Sequence, residues 1–238
     1  MDVTNLGTIL GIWAHPDDET MMAGGVMAAA VANGQTVACV TATRGEAGSQ
    51  DVRKWPASTL GSVRTQELNQ ALNILGVANH HWLEYADGGC HRIDDQEAVN
   101  KLLPLIAKYQ PDTILTFPPN GLTGHPDHQA VSRWSLQAVE QCGRPVKVYG
   151  AVFTEEKYQT HIKQWDDKLN VFFALDQPVL YSKGQCQLVY ELSPDILDKK
   201  VNALAAMPSQ IATLRKIFPA NFIHGAFSEE AFVRLGKL

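Results

Sequence analysis

The sequence predicts an α/β protein: a Rossmann-like, doubly wound, mostly parallel sheet with helices on both faces, in a single domain. Three observations carry this expectation. Short, almost uninterrupted apolar runs recur up to residue 153, as strands buried on both faces require. Segments of helical periodicity separate them, giving the β-α-β-α order that builds parallel sheets. A chain of 238 residues also suits one such domain with a full core.

In order, Gly7 to Ala14 (GTILGIWA) reads as a buried strand, and Thr20 to Asn33 as an alanine-rich helix stopped by Gly34. Thr36 to Thr41 is a second strand, followed by a long polar loop from Arg44 to Leu60. Ser62 to Leu75 is helical, with Leu68, Ala71, Leu72 and Leu75 on one face and Gly76 as the stop. His81 to Tyr85 reads as a third strand. Asp94, with Glu97 three residues on, resembles a capping box that opens a helix carrying Val99, Leu102, Leu103 and Ile106. Pro104 lies inside that pattern and is expected to kink the helix or delay its start. Thr113 to Phe117 is a fourth strand, His128 to Gln141 a helix and Val146 to Phe153 a fifth strand. Beyond Thr154 the alternation weakens: Lys168 to Ala174 reads as a strand, and Pro194 to Ala206 and Ser209 to Phe218 as helices. The division expected is a parallel core over residues 1–153, with residues 154–238 as a C-terminal β/α extension packed on it.

Composition narrows the function. The net charge of −5 argues against a binder of nucleic-acid backbones. The N-terminus shows no basic segment leading into a long apolar run, and stretches such as Gly24 to Val31 are far too short to span a membrane. Cys39, Cys90, Cys142 and Cys186 form no CxxC pair, which fits a reducing cytoplasm, and Cys39 reads as a small core residue. The expected partner is a small molecule, with neither nucleic acid nor membrane involved.

Two segments carry chemistry. His15-Pro16-Asp17-Asp18-Glu19 directly follows the first strand, and His125-Pro126-Asp127-His128 lies in the loop after the fourth. In a doubly wound sheet these loops face each other across the crevice at the switch point. His15 and Asp18, three apart, share a face, and His128 can join them from across the crevice. Two histidines and one carboxylate leave a fourth tetrahedral position for water, the pattern of a catalytic rather than a structural zinc. The ligand types would also accept Fe²⁺ or Co²⁺. Asp17 is then placed as general base, and His125 as an oxyanion partner or as proton donor to the leaving nitrogen. Asp127 can orient His125. Plainer readings stand beside these. Asp17, Asp18, Glu19 or Asp127 can cap the following helices, and single loop histidines are ordinary surface residues. His80, His81, His91, His161 and His224 have no matching constellation. Trp55, in the polar loop, is an aromatic able to stack on a sugar ring.

The paired motifs resemble those of the PIG-L/LmbE-type family of zinc-dependent de-N-acetylases, which act on N-acetylglucosaminyl conjugates. Thr43-Arg44-Gly45-Glu46-Ala47-Gly48, Arg64 with Glu67, Leu75-Gly76-Val77, Tyr85-Ala86-Asp87-Gly88, Ser209-Gln210 and Glu230-Ala231-Phe232 extend the resemblance, which is strongest over residues 7–140. Pro208 departs from it. The resemblance implies one zinc on His15, Asp18 and His128, Asp17 as base, His125 as oxyanion partner, and Arg64 and Asp87 as binders of sugar hydroxyls. It also implies assembly from several subunits. Arg64 has a plainer partner in Glu67, and Asp87 before Gly88-Gly89 is equally a turn residue. Two other functions stand beside this one: an amidase of a larger thiol-sugar conjugate or other acylated amine, and a ligand-binding domain without catalysis. The latter needs a glycine-rich turn where His15 to Asp18 stand.

Overall fold

Ile9–Trp13 (β1) and Val37–Thr43 (β2) are buried at every position, and this double-sided burial makes them central. They belong to an eight-stranded sheet in a computed structural model that describes residues 2–236. The remaining strands are Asn79–Tyr85 (β3), Thr113–Thr116 (β4), Lys147–Thr154 (β5), Leu180–Tyr181 (β6), Leu188–Glu191 (β7) and Glu229–Leu235 (β8). The order is β3-β2-β1-β4-β5-β8-β7, with β6 alongside the end of β5. Strands β1 to β6 run parallel, while β8 is antiparallel to both β5 and β7. Ile9 pairs with Val37 on one side and with Thr113 on the other, so β1 and β4 are neighbours although a long stretch of chain separates them. Their carboxyl ends flank the switch point.

The helices follow the expected order. Asp18–Ala32 (α1) is rich in alanine and buried at most positions, so it is covered from several sides rather than lying on the surface. Ala57–Leu75 (α2) begins five residues before the expected Ser62, because Ala57, Ser58 and Thr59 are exposed and the buried Leu60 alone sets no apolar period. Asp94 caps Asp95–Tyr109 (α3) by accepting from Gln96 and Glu97 N–H at 3.0 and 3.2 Å. That helix runs through Pro104 without a delayed start. Pro126–Gln141 (α4) has its proline in the first turn, where a missing N–H costs nothing. Lys163–Leu169 (α5), Pro194–Ala205 (α6), Pro208–Ile217 (α7) and Ala220–Phe227 (α8) are the longer helices that follow.

The strand expected over Lys168 to Ala174 does not form: Leu169 ends α5, and residues 171–174 are turns. Asn170 adopts φ 50, and the Asp166 carboxylate accepts the Phe172 N–H at 3.1 Å, closing the chain locally instead of leaving it to a ladder. The extension is tied to the core by a buried ion pair. Lys200 Nζ of α6 lies 2.6 Å from Glu230 of β8, whose carboxylate also accepts Gly25 and Val26 N–H of α1 at 2.7 Å. Among the described residues no helix is long and apolar enough to cross a membrane.

Candidate metal centre and active site

Trp13, at the end of β1, meets the Phe117 ring edge-on at 5.2 Å, and Phe117 lies flat against His128 at 4.0 Å. The apolar core therefore sets the floor of the crevice and fixes one histidine on it. His128 Nδ1–H donates to the Gly121 carbonyl at 3.0 Å, which leaves Nε2 bare. His15 is held the other way round. Its Nε2 faces Asp87 Oδ1 at 3.0 Å and Asp127 Oδ2 at 3.3 Å, leaving Nδ1 bare. Asp18 is drawn in by the His15 backbone N–H, 2.7 Å from Oδ2.

The bare atoms converge. His15 Nδ1 stands 3.2 Å from His128 Nε2 and 3.4 Å from Asp18 Oδ2, and His128 Nε2 stands 3.5 Å from Asp18 Oδ1. Zinc bonds of about 2.0–2.1 Å in tetrahedral geometry space ligand atoms roughly 3.4 Å apart. The donor set therefore fits a zinc-sized ion, and all three residues are only 8% exposed. His125 offers a ring nitrogen within 4.8 Å of those of His15 and His128, so it borders the same point.

The electrostatics are those of a site built for a cation. Burial disfavours a charged His15, but Asp127, Asp18 and Asp87 outweigh it and raise its affinity for a proton. Burial pulls His128 down to about 4. Asp17 is pushed up to about 7, first by burial and then by its like-charged neighbours Asp18 and Asp87, against the pull of Arg64 and His15. Asp17 also takes φ 112 and ψ −34, and Leu122, ahead of His125, takes φ 63 and ψ −58. Non-glycine residues in this region are strained, and here both flank the converging donors.

One sequence expectation is corrected, and one plainer reading falls away. Asp127 does not orient His125 through its carboxylate, which accepts Gly88 N–H at 2.8 Å and Cys90 N–H at 3.0 Å and faces His15. Contact with His125 runs through the backbone: Asp127 N–H donates to His125 Nδ1 at 3.1 Å, so the imidazole, not the carboxylate, caps α4. This leaves Nε2 as the hydrogen-bearing nitrogen of a neutral His125, whose proton affinity burial and His15 lower. Arg64 does not pair with Glu67, which accepts from Ser209 N–H at 2.9 Å. Arg64 instead donates to the Gly45 carbonyl at 2.9 Å and to the Pro16 carbonyl, and lies 3.4 Å from Asp17 Oδ2. Gly45 permits this at φ 66, since a Cβ there would stand 2.3 Å from the guanidinium.

These residues line a cavity of about 380 Å³ that includes His15, Asp17, Asp18, Arg64, Asp87, His125 and His128. Asp87 serves His15 and accepts Ala47 N–H at 2.8 Å. Trp55 is not part of the lining and lies under Lys54, 4.3 Å from its ring centre. Three lining residues had no signal as site residues: Thr123, Val171 and Phe173. Of the other histidines, His80 pairs with Thr41 at 2.9 Å and His81 with Tyr109 at 2.7 Å, both away from the cavity.

A Rossmann-like sheet whose first and fourth loops bring His15, Asp18 and His128 together defines the class, an α/β protein with a candidate metal centre at the switch point. More closely, the chain belongs to the PIG-L, GlcNAc-PI de-N-acetylase family, whose pattern matches residues 10–139. It is 31% identical to the 1D-myo-inositol 2-acetamido-2-deoxy-alpha-D-glucopyranoside deacetylase of Mycobacterium sp. (strain JLS), over 86% of this chain and 74% of that protein. In fold it is similar to the N,N'-diacetylchitobiose deacetylase from Pyrococcus horikoshii, with a TM-score of 0.65 and 22% identity over 99% of this chain and 87% of that one. It is also similar to GalB, the 4-carboxy-2-hydroxymuconate hydratase of Pseudomonas putida, with a TM-score of 0.66 and 17% identity over 98% and 97% of the two chains. The last likeness shows that the fold by itself does not choose the reaction.

Proposed function

We propose that the chain is a zinc-dependent deacetylase that hydrolyses the N-acetyl group of an N-acetylglucosamine-type sugar or conjugate, releasing acetate and a free amine. The observation that carries this is the mutual spacing of His15 Nδ1, His128 Nε2 and an Asp18 carboxylate, which are the residues that would hold the ion. When bound, zinc lowers the pKa of a coordinated water to about 7 and polarises the amide carbonyl.

The chain supplies the remaining groups. Asp17, next to Asp18 in the chain and lining the cavity, takes the proton of the attacking water and returns it to the departing nitrogen. His125 donates Nε2–H to the carbonyl oxygen as charge builds there. Asp127 and Asp87 are positioning residues for His15. Arg64 lines the cavity beside Asp17, which supports a role toward a substrate hydroxyl. The four cysteines are free, in keeping with a reducing cytoplasm.

The test is acetate release from N-acetylglucosamine conjugates with zinc supplied, alongside metal analysis. Asp17→Asn should keep its zinc and lose turnover; a variant with the wild-type rate would remove Asp17 from the chemistry. Water addition to a carbon–carbon double bond, favoured only by the likeness to GalB, would release no acetate.

A further inference from the structure

Four large apolar side chains stand exposed among the described residues: Val52, Phe173, Val179 and Ile217. Phe173 alone lines the cavity of the metal centre. At 59% exposure it lies at the mouth, whereas His15, Asp18 and His128, at 8%, form the floor. A single exposed apolar side chain is ordinary on a protein surface, but this ring borders the cavity, where it has favourable burial left to gain against a ligand.

The ring is not exposed because its loop is loose. Phe172 beside it is buried, with its ring 6.0 Å from Phe153 and 6.1 Å from Tyr158. The Phe172 carbonyl accepts Leu175 N–H at 3.0 Å. Ala174 packs on Gly124, where a Cβ would stand 2.6 Å from the Ala174 carbonyl oxygen. The loop is therefore seated on the segment that carries His125, and Phe173 meets the His125 ring edge-on at 5.9 Å. The aromatic surface is preorganised, with little ordering entropy left to lose on contact.

Resting on the deacetylase reading, we propose that Phe173 is a specificity-determining residue that packs on the apolar C–H face of a second ring in the substrate. With the acetamido group on the floor, only the portion of the ligand farthest from the reacting bond reaches the mouth. The site should therefore prefer a two-ring acetamido-sugar conjugate to a free monosaccharide.

The experiment compares N,N'-diacetylchitobiose with N-acetylglucosamine on the zinc-loaded wild type, Phe173→Ala and Phe173→Tyr. Phe173→Ala should lower kcat/KM for the disaccharide about tenfold, through KM, the scale of one aromatic contact. It should cost the monosaccharide less, so that the ratio of the two kcat/KM values falls, and Phe173→Tyr should retain the preference. Equal losses on both substrates, or no loss on either, would overturn the proposal. A second readout needs no turnover: calorimetric binding of the free amines, glucosamine and its β-1,4-linked disaccharide. The wild type should bind the disaccharide more tightly and Phe173→Ala should lose that margin; no margin in the wild type also overturns it. If the wild type releases acetate from neither sugar, the deacetylase reading fails, and the binding comparison still decides the role of Phe173.

Discussion

Asp127 Oδ2 lies 3.3 Å from His15 Nε2, so the acid between the two histidines of the second motif serves the histidine of the first. The carboxylate is fully buried and gathers two backbone N–H groups besides, from Gly88 and Cys90. It fixes the His15 tautomer and strengthens Nδ1 as a donor atom. In Asp127→Asn one of these N–H groups or His15 loses its acceptor. Zinc affinity is expected to fall about 10- to 100-fold, the usual cost of losing such a partner. Competition against a chromophoric chelator measures it, and an unchanged affinity would return Asp127 to a purely structural role.

Metal removal should be read in stability as well as in activity. An ion that binds only the folded chain at 100 times its Kd adds about 2.7 kcal/mol, or roughly 5–10 °C in Tm for a chain of this size. Thermal melts of chelator-stripped protein, with and without added zinc, give the shift. A zinc-independent Tm at saturating metal would argue that His15, Asp18 and His128 do not bind the ion in the folded state.

The parallel core was legible because its strands are continuous apolar runs that need no distant partner to be recognised. The convergence of His15 and His128 was legible for the same reason: once β1 and β4 are neighbours, the loops after them must meet. What was not legible depended in one place on pairings remote in sequence and in another on a local side-chain turn. The strand Glu229–Leu235 opens with two acids, and Glu230 is tolerable in the core only because Lys200 and the amides of Gly25 and Val26 meet it. Lys168 to Ala174 looks like a strand by composition, yet the Asp166 side chain and the left-handed Asn170 divert it into the loop that carries Val171 and Phe173 to the cavity. The misread segment and two of the three missed site residues, Val171 and Phe173, have one cause.

The backbone of Asp17 predicts a separation of stability from activity. At φ 112 and ψ −34 a side chain is strained, and Asp17 makes no side-chain cap hydrogen bond in return. Asp17→Gly and Asp17→Ala remove the same carboxylate but differ in strain, which costs about 1–3 kcal/mol at such positions. Both should lose turnover, and the glycine variant should be the more stable by about 1–2 kcal/mol. Urea unfolding of the pair decides it. An alanine variant as stable as the glycine one would show that the loop relaxes without cost.

A last expectation concerns pH, and it lies away from the metal centre. Lys157 is half-buried, donates to the Glu229 carbonyl at 2.6 Å, and is pulled down to about 7 by burial and by the nearby Lys200, with Glu230 and Glu229 opposing. Lys183, which touches Glu229 at 2.8 Å, adds a further positive charge to the cluster. Between pH 7 and the ordinary lysine value the unfolded chain binds this proton and the folded chain does not. Unfolding free energy therefore rises with pH across that window, because the unfolded state holds more protons. The difference in stability between wild type and Lys157→Met should accordingly shift toward the wild type as pH goes from 7 to 10, while other groups cancel in the comparison. Urea midpoints at several pH values give the slope. A flat difference would mean that the amine keeps its proton in the fold, and an opposite slope would mean that Glu229 and Glu230 hold it as a firm cation.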